Sequence, residues 1–221
     1  MKKILMTMLL AALVVTPTAL ADTKDDALNA APAQAGETAT LRESDMDDGV
    51  YEFEFRDDTN NTRIDISADG QTGSILKMET EYVGVQRAGQ AALDETQAKE
   101  AAQAILSETA AIDYALLETD DGSCEWKLFY SDNGDLGLLT LQAETGEVLS
   151  QEVYYAPDAL TASEAAAALE SAKGAVQIQE LDMDLNDALA LNYDGKATLD
   201  GTVYEFELRG QDGQVMEWER D

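Results

Sequence analysis

Val50-Tyr51-Glu52-Phe53-Glu54 and Val203-Tyr204-Glu205-Phe206-Glu207 are the same five residues written twice in one chain. Each copy alternates aromatic residues with glutamate, and a period of two belongs to a β-strand with one face in a core and the other in water. Tyr51, Phe53 and Phe55 are therefore expected inward, with Glu52, Glu54 and Arg56 outward. In the second copy Tyr204, Phe206 and Leu208 point inward and Glu205, Glu207 and Arg209 outward. A diverged third copy, Cys124 to Tyr130, would bury Trp126, Leu128 and Tyr130 and expose Glu125, Lys127 and Phe129.

Upstream of each copy stands a helix signal. In Leu93-Asp94-Glu95-Thr96-Gln97-Ala98, an Asp cap is followed three residues on by Gln, with Ala101, Ala102, Ile105 and Leu106 at helical spacing. That is a capping box on an amphipathic helix. Leu160-Thr161-Ala162-Ser163-Glu164-Ala165 repeats the pattern, with Ala168, Leu169 and Ala172 continuing to a stop at Gly174. Thr23 with Asp26 is a weaker version, and Pro32 is expected to end that helix. Downstream, Ala39–Leu41 reads as a short edge strand, and Ile64, Ile66 and Ala68 alternate in a further strand. Asp132-Asn133-Gly134 reads as a hairpin turn, leading into strands through Leu139, Leu141 and Tyr155. Val176–Leu191 is expected to be extended and Asn192–Gly201 to be a loop, which leaves the last repeat short by about one strand, with an exposed edge.

The helix signals recur at intervals of about 70 residues, a spacing of small domains rather than of a solenoid. The expected fold class is α+β: three tandem small units, each one helix packed on an antiparallel β-meander. The expected boundaries are a signal peptide at 1–21 and units at 22–83, 93–155 and 160–221.

Composition limits the chemistry. The chain has 221 residues, 45 acidic against 14 basic, no histidine and a net charge of −31. Such a field repels nucleic acid and anionic membrane surfaces. Without histidine there is no imidazole base for a serine or cysteine nucleophile and no His-ligated zinc or iron. Lys2 and Lys3, the apolar run Ile4–Val15 and Ala19-Leu20-Ala21 together read as a secretory signal cut after Ala21, with no membrane insertion afterwards. Cys124 is alone, so it forms no intrachain disulfide, and it reads as a small apolar residue at a strand start.

Candidate sites are few. Glu52, Glu54, Glu205 and Glu207 form either a candidate acidic docking face or a solvated sheet face; like charges on neighbouring strands repel, which favours a cationic partner or bound cations. Asp182-Met183-Asp184-Leu185-Asn186-Asp187 opens like a calcium loop, yet its sixth position is Asp187 rather than glycine and its twelfth is Tyr193 rather than glutamate. Specific metal ligation is not expected there, only weak divalent cation binding by so acidic a surface. Thr72-Gly73 and Thr145-Gly146 read as turns needing glycine. No catalytic or cofactor-binding residue is assigned, no cofactor is expected, and the chain is not expected to be an enzyme.

The order of capped alanine-rich helix, Tyr-Glu-Phe-Glu strand and then Ala143-Glu144-Thr145-Gly146-Glu147-Val148-Leu149 resembles the PepSY domain. That family occurs in the propeptides of thermolysin-like metalloproteases and in many secreted or membrane-attached bacterial proteins. Asp65–Leu76 resembles the same string with Gly70-Gln71 inserted, and the last repeat matches at its helix and at Val203–Leu208. The resemblance implies binding to, and inhibition or assistance of, an extracellular protease or other envelope protein. It supplies no catalytic residues. The alternative expectation is an acidic cation-binding or structural envelope protein.

Overall fold

The computed structural model describes residues 24–120 and 122–221. The expected signal segment and the Thr23 cap lie outside them. The chain runs α1 (Lys24–Ala35), β1 (Thr40–Asp47), β2 (Val50–Asp57), β3 (Thr62–Asp69), β4 (Ile75–Tyr82), then α2 (Glu95–Gln103), β5 (Ala111–Asp120), β6 (Ser123–Asp132), β7 (Asp135–Gln142) and β8 (Val148–Tyr154). It ends with α3 (Ala162–Lys173), β9 (Gln177–Leu185), β10 (Leu191–Leu199), β11 (Thr202–Arg209) and β12 (Val215–Arg220).

The expected fold class, α+β with three helix-on-meander units, is corrected by the sheet topology. The described residues are mostly antiparallel β, in one eight-stranded sheet ordered β1-β2-β3-β4-β8-β7-β6-β5 and one four-stranded sheet ordered β12-β11-β10-β9. Helices are minor, at 12, 9 and 12 residues. Two meanders fuse because β4 pairs antiparallel with β8 from Lys77↔Tyr154 to Glu81↔Ser150, so no boundary in the sheet separates them. Local patterning specifies each hairpin but says nothing about which edge strands meet.

α1 contacts β2, β3 and β4, while α2 contacts β5, β6 and β7. Both helices lie on one face of the large sheet, since Met78 of the first core pairs Val153, which pairs Gly137, which pairs Tyr130 of the second core. Ala27, Ala31 and Ala35 close on Phe53, Phe55, Ile64, Ile66 and Ala68. That i, i+4 stripe holds α1 together through Pro32, which was expected to end it: packing outweighs the lost backbone bond. Both capping boxes form, Asp94 with Gln97 and Thr161 with Glu164.

The other face of the large sheet is divided. Over β5–β8 it carries the four-stranded sheet with α3: Phe129, Leu136, Leu138 and Tyr154 share a core with Ala165, Leu169, Leu181, Met183, Tyr193, Phe206 and Leu208. This corrects the expectation that Glu125, Lys127 and Phe129 face water. Trp126, Leu128 and Tyr130 do pack under α2, but the other three are buried too: Phe129 in the core shared with the small sheet, Lys127 against Asp182 of β9, and Glu125 beside Arg87, 3.3 Å away.

The expected loop at Asn192–Gly201 is instead β10, so β9–β12 is a complete four-stranded meander, not one strand short. Asn192, Asp194 and Gly195 carry turn chemistry, but here glycine serves close approach. A Cβ on Gly195 would lie 2.0 Å from the Glu180 carbonyl oxygen of the adjacent strand. The strand Ala39–Leu41 is also longer than expected, running from Thr40 to Asp47 with a bulge at Arg42.

Candidate functional site: carboxylate rows on the open sheet faces

Strand register turns the outward glutamates into lines. Across the first half of the large sheet, Glu43 pairs Glu54, Glu54 pairs Asp65, Asp65 pairs Glu79, and Glu79 pairs Glu152. Five carboxylates thus lie side by side on five adjacent strands, where like charges directly opposite are destabilising. The same row continues as Leu138, Phe129 and Tyr114, the apolar half that the second sheet covers. One line of residues therefore changes from acidic and open to apolar and covered.

Two cations hold the row together. Arg63 lies 3.3 Å from Glu54, 3.0 Å from Asp65 and 3.6 Å from Glu81. Lys77 lies 3.3 Å from Glu79 and 2.8 Å from Glu152, and its ammonium sits 5.1 Å from the centre of the Tyr154 ring. Burial raises the Asp65 carboxyl above its ordinary range against the pull of Arg63. Burial also raises Glu52, although Ser67 donates to it at 3.0 Å. Above this face is a groove of about 700 Å³, walled on the far side by Asp184, Leu185, Asn186, Asp187 and Leu189 at the β9–β10 turn.

The small sheet repeats the device. Asp182 pairs Asp194, Asp194 pairs Glu207, and Glu207 pairs Glu217, four carboxylates on four strands. Burial, reinforced by Asp182, Asp184, Glu207 and Glu180, pushes Asp194 up to about 6. Relief is partial: Asn192 Nδ2 donates to Glu207 Oε1 at 2.5 Å, and Lys196 lies 3.6 Å from Glu205 and 3.4 Å from Asp221. A second groove, of about 380 Å³, opens over this row and shares Asp184, Leu185 and Asn186 with the first.

The four glutamates singled out from the sequence are thereby placed on two surfaces. Glu52 and Glu54 line the larger groove, and Glu205 and Glu207 line the smaller. Asp65, Asp182 and Asp194, absent from that set, belong to the same rows. Alternation in Thr62–Asp69 carried the signal for Asp65; Asp194 was hidden inside a stretch that reads as loop.

Among the described residues Glu118, Glu180 and Asp182 bring carboxylate oxygens within 4.8 Å of one another. Lys127 bridges two of the three, its Nζ 2.8 Å from Glu118 and 2.6 Å from Asp182, so an ammonium already serves as their counter-ion. The calcium-like string is a strand and a turn: Asp182 accepts from Lys127, and Asp184 Oδ1 accepts from the Leu185 N–H at 2.8 Å. Cys124 is buried, and its N–H donates to the Ala88 carbonyl at 2.6 Å. None of the described helices is long and apolar enough to cross a membrane.

The structure is similar to the Bacillus megaterium YpeB C-terminal domain at 14% identity and a TM-score of 0.35, covering 90% of this chain and 99% of that one. It is similar to a putative lipoprotein from Clostridium difficile 630 at 15% identity and a TM-score of 0.33, covering 62% and 100%. A cysteine-rich secretory protein from Staphylococcus aureus subsp. aureus Mu50 gives 14% identity and a TM-score of 0.31, covering 60% of this chain and 44% of that one. No curated protein matches the chain. Residues 23–79, which span α1 to the middle of β4 and hold the first copy of the repeated pentapeptide, match the PepSY family, described as peptidase propeptide and YPEB domain.

Proposed function

We propose that this is a secreted, non-catalytic PepSY-type protein that binds a separate extracellular protease, or another envelope protein, and restrains or assists it. The observation that carries the reading is the match of residues 23–79 to a family described by its place in peptidase propeptides. A propeptide domain acts by contact rather than by chemistry, and a chain without histidine suits that role. The reading places a signal peptide at 1–21, PepSY-like segments at 22–83, 93–155 and 160–221, and the mature protein outside the cell, or in the periplasm where the host has an outer membrane. The open acidic face with Glu52 and Glu54 is its docking surface. The test is to add the purified protein to proteases secreted by the same cell and to capture partners from the culture medium. A changed rate of proteolysis with a co-purifying protease supports the reading; the absence of both overturns it.

The carboxylate rows favour a second reading, an acidic cation-binding or structural envelope protein, in which divalent ions relieve repulsion along the rows. It requires calcium to stabilise the protein more than a monovalent salt of equal ionic strength does.

A further inference from the structure

β1 is the edge of the large sheet, and no described residue covers it. All eight residues from Thr40 to Asp47 are exposed. The opposite edge differs, because β5 lies against β9 and Lys127 ties Glu118 of β5 to Asp182 of β9. A free edge presents unpaired N–H and C=O groups to one side, which is what an incoming strand requires.

The two faces of β1 are chemically distinct. The bulge at Arg42 resets the alternation. Leu41 pairs Phe55 and Met46 pairs Tyr51, so both project on the helix side, where they remain 42% and 51% exposed. Glu43 pairs Glu54, Asp45 pairs Glu52, and Asp47 pairs Val50, so these acids project into the groove. Oxygen Oδ1 of Asp45 also accepts from the Met46 N–H at 2.7 Å, covering one backbone donor of the strand with a side chain.

We propose that β1 accepts an extended segment of a partner protein as an added strand, one with Lys or Arg at alternate positions and apolar residues between them. The cationic residues meet Glu43, Asp45, Glu52 and Glu54, and the apolar residues meet Leu41 and Met46. A cation drawing Asp45 into the groove also frees the Met46 N–H for the incoming carbonyl. A second copy of this chain fits badly, since pairing β1 with itself sets its acids against one another in a protein of net charge −31. The proposal rests on the partner-binding reading above and names the chemistry of the partner.

The probe is a blocked peptide matching β1 in length with alternating Lys and Val, followed by fluorescence anisotropy, with a second version N-methylated at alternate amides. Binding to the wild-type protein is expected, weaker by about tenfold or more for the N-methylated peptide and for the Glu43→Lys, Asp45→Lys double variant, whose fold is checked by circular dichroism. Absence of binding overturns the proposal, and so does equal binding of the N-methylated peptide, which marks a mere polyanion. It is also overturned if sedimentation shows a wild-type dimer that the double variant loses. If wild type and double variant restrain a protease equally, the functional reading stands and the edge proposal falls. If the peptide seats on the edge while no protease responds, the reverse holds.

Discussion

Asp194 shows how register gives one side chain its properties. It stands between Asp182 and Glu207 in a row of four acids, and its pKa is pushed up to about 6 from 3.8. A carboxyl raised in the folded state binds its proton more tightly there than in the unfolded chain. Stability from this site is therefore fully present below about pH 4 and is lost as pH rises through about 6. Asp194→Asn is expected to stabilise the protein at pH 8, by about 1 kcal/mol after allowance for solvent screening, and to change little near pH 4. Thermal melts of both proteins across that range check it, and an equal gain at both pH values contradicts it. Lys127 is the opposite case. Its side chain is 9% exposed and serves Glu118 and Asp182 at once, so Lys127→Ala leaves two carboxylates without their counter-ion. A loss of about 3 to 5 kcal/mol is expected in urea unfolding.

Among the elements, the helices are specified locally and the turns nearly so. Asp94 and Thr161 each accept from the N–H three residues on, while Gln97 and Glu164 return the bond to the cap. Asp94→Ala and Thr161→Ala are each expected to cost about 1 kcal/mol. Chemical denaturation of the single variants tests this, and a negligible loss in both would show that packing alone sets these helix starts. The last hairpin lacks the Thr-Gly pair of the other two, yet its geometry is the same. Gly73, Gly146 and Gly213 have φ of 70°, 75° and 67°, and each N–H bonds the carbonyl four residues back. Glycine is the residue this turn requires, and the threonine is dispensable. β10 went unread because Asn, Asp and Gly are turn formers on average. In place, Tyr193 and Ala197 are buried and Gly195 lets β9 pass close by.

For the whole molecule, the dominant quantity is a charge of −31 laid out partly as rows of paired-strand carboxylates. Salt screens repulsion between exposed charges over about 8 Å at physiological ionic strength, so the melting temperature is expected to rise with added sodium chloride. Calcium at matched ionic strength discriminates between the two functional readings. Equal effects of the two salts leave simple screening and count against cation binding; a larger rise with calcium supports it. One half of the open face of the large sheet is covered by the small sheet, and the other half, with its carboxylate row, lines the larger groove.

The sequence by itself determined the strands around the repeated pentapeptide, the side each aromatic ring takes, and the capped starts of α2 and α3. Those features depend on neighbours two to four residues away, and periodicity records them. Only the tertiary structure decided that β4 pairs with β8, that the outer face of β6 is buried, and that the scattered acids stand in rows. Each depends on which strand lies beside which, and a strand edge offers the same backbone donors and acceptors to every candidate neighbour.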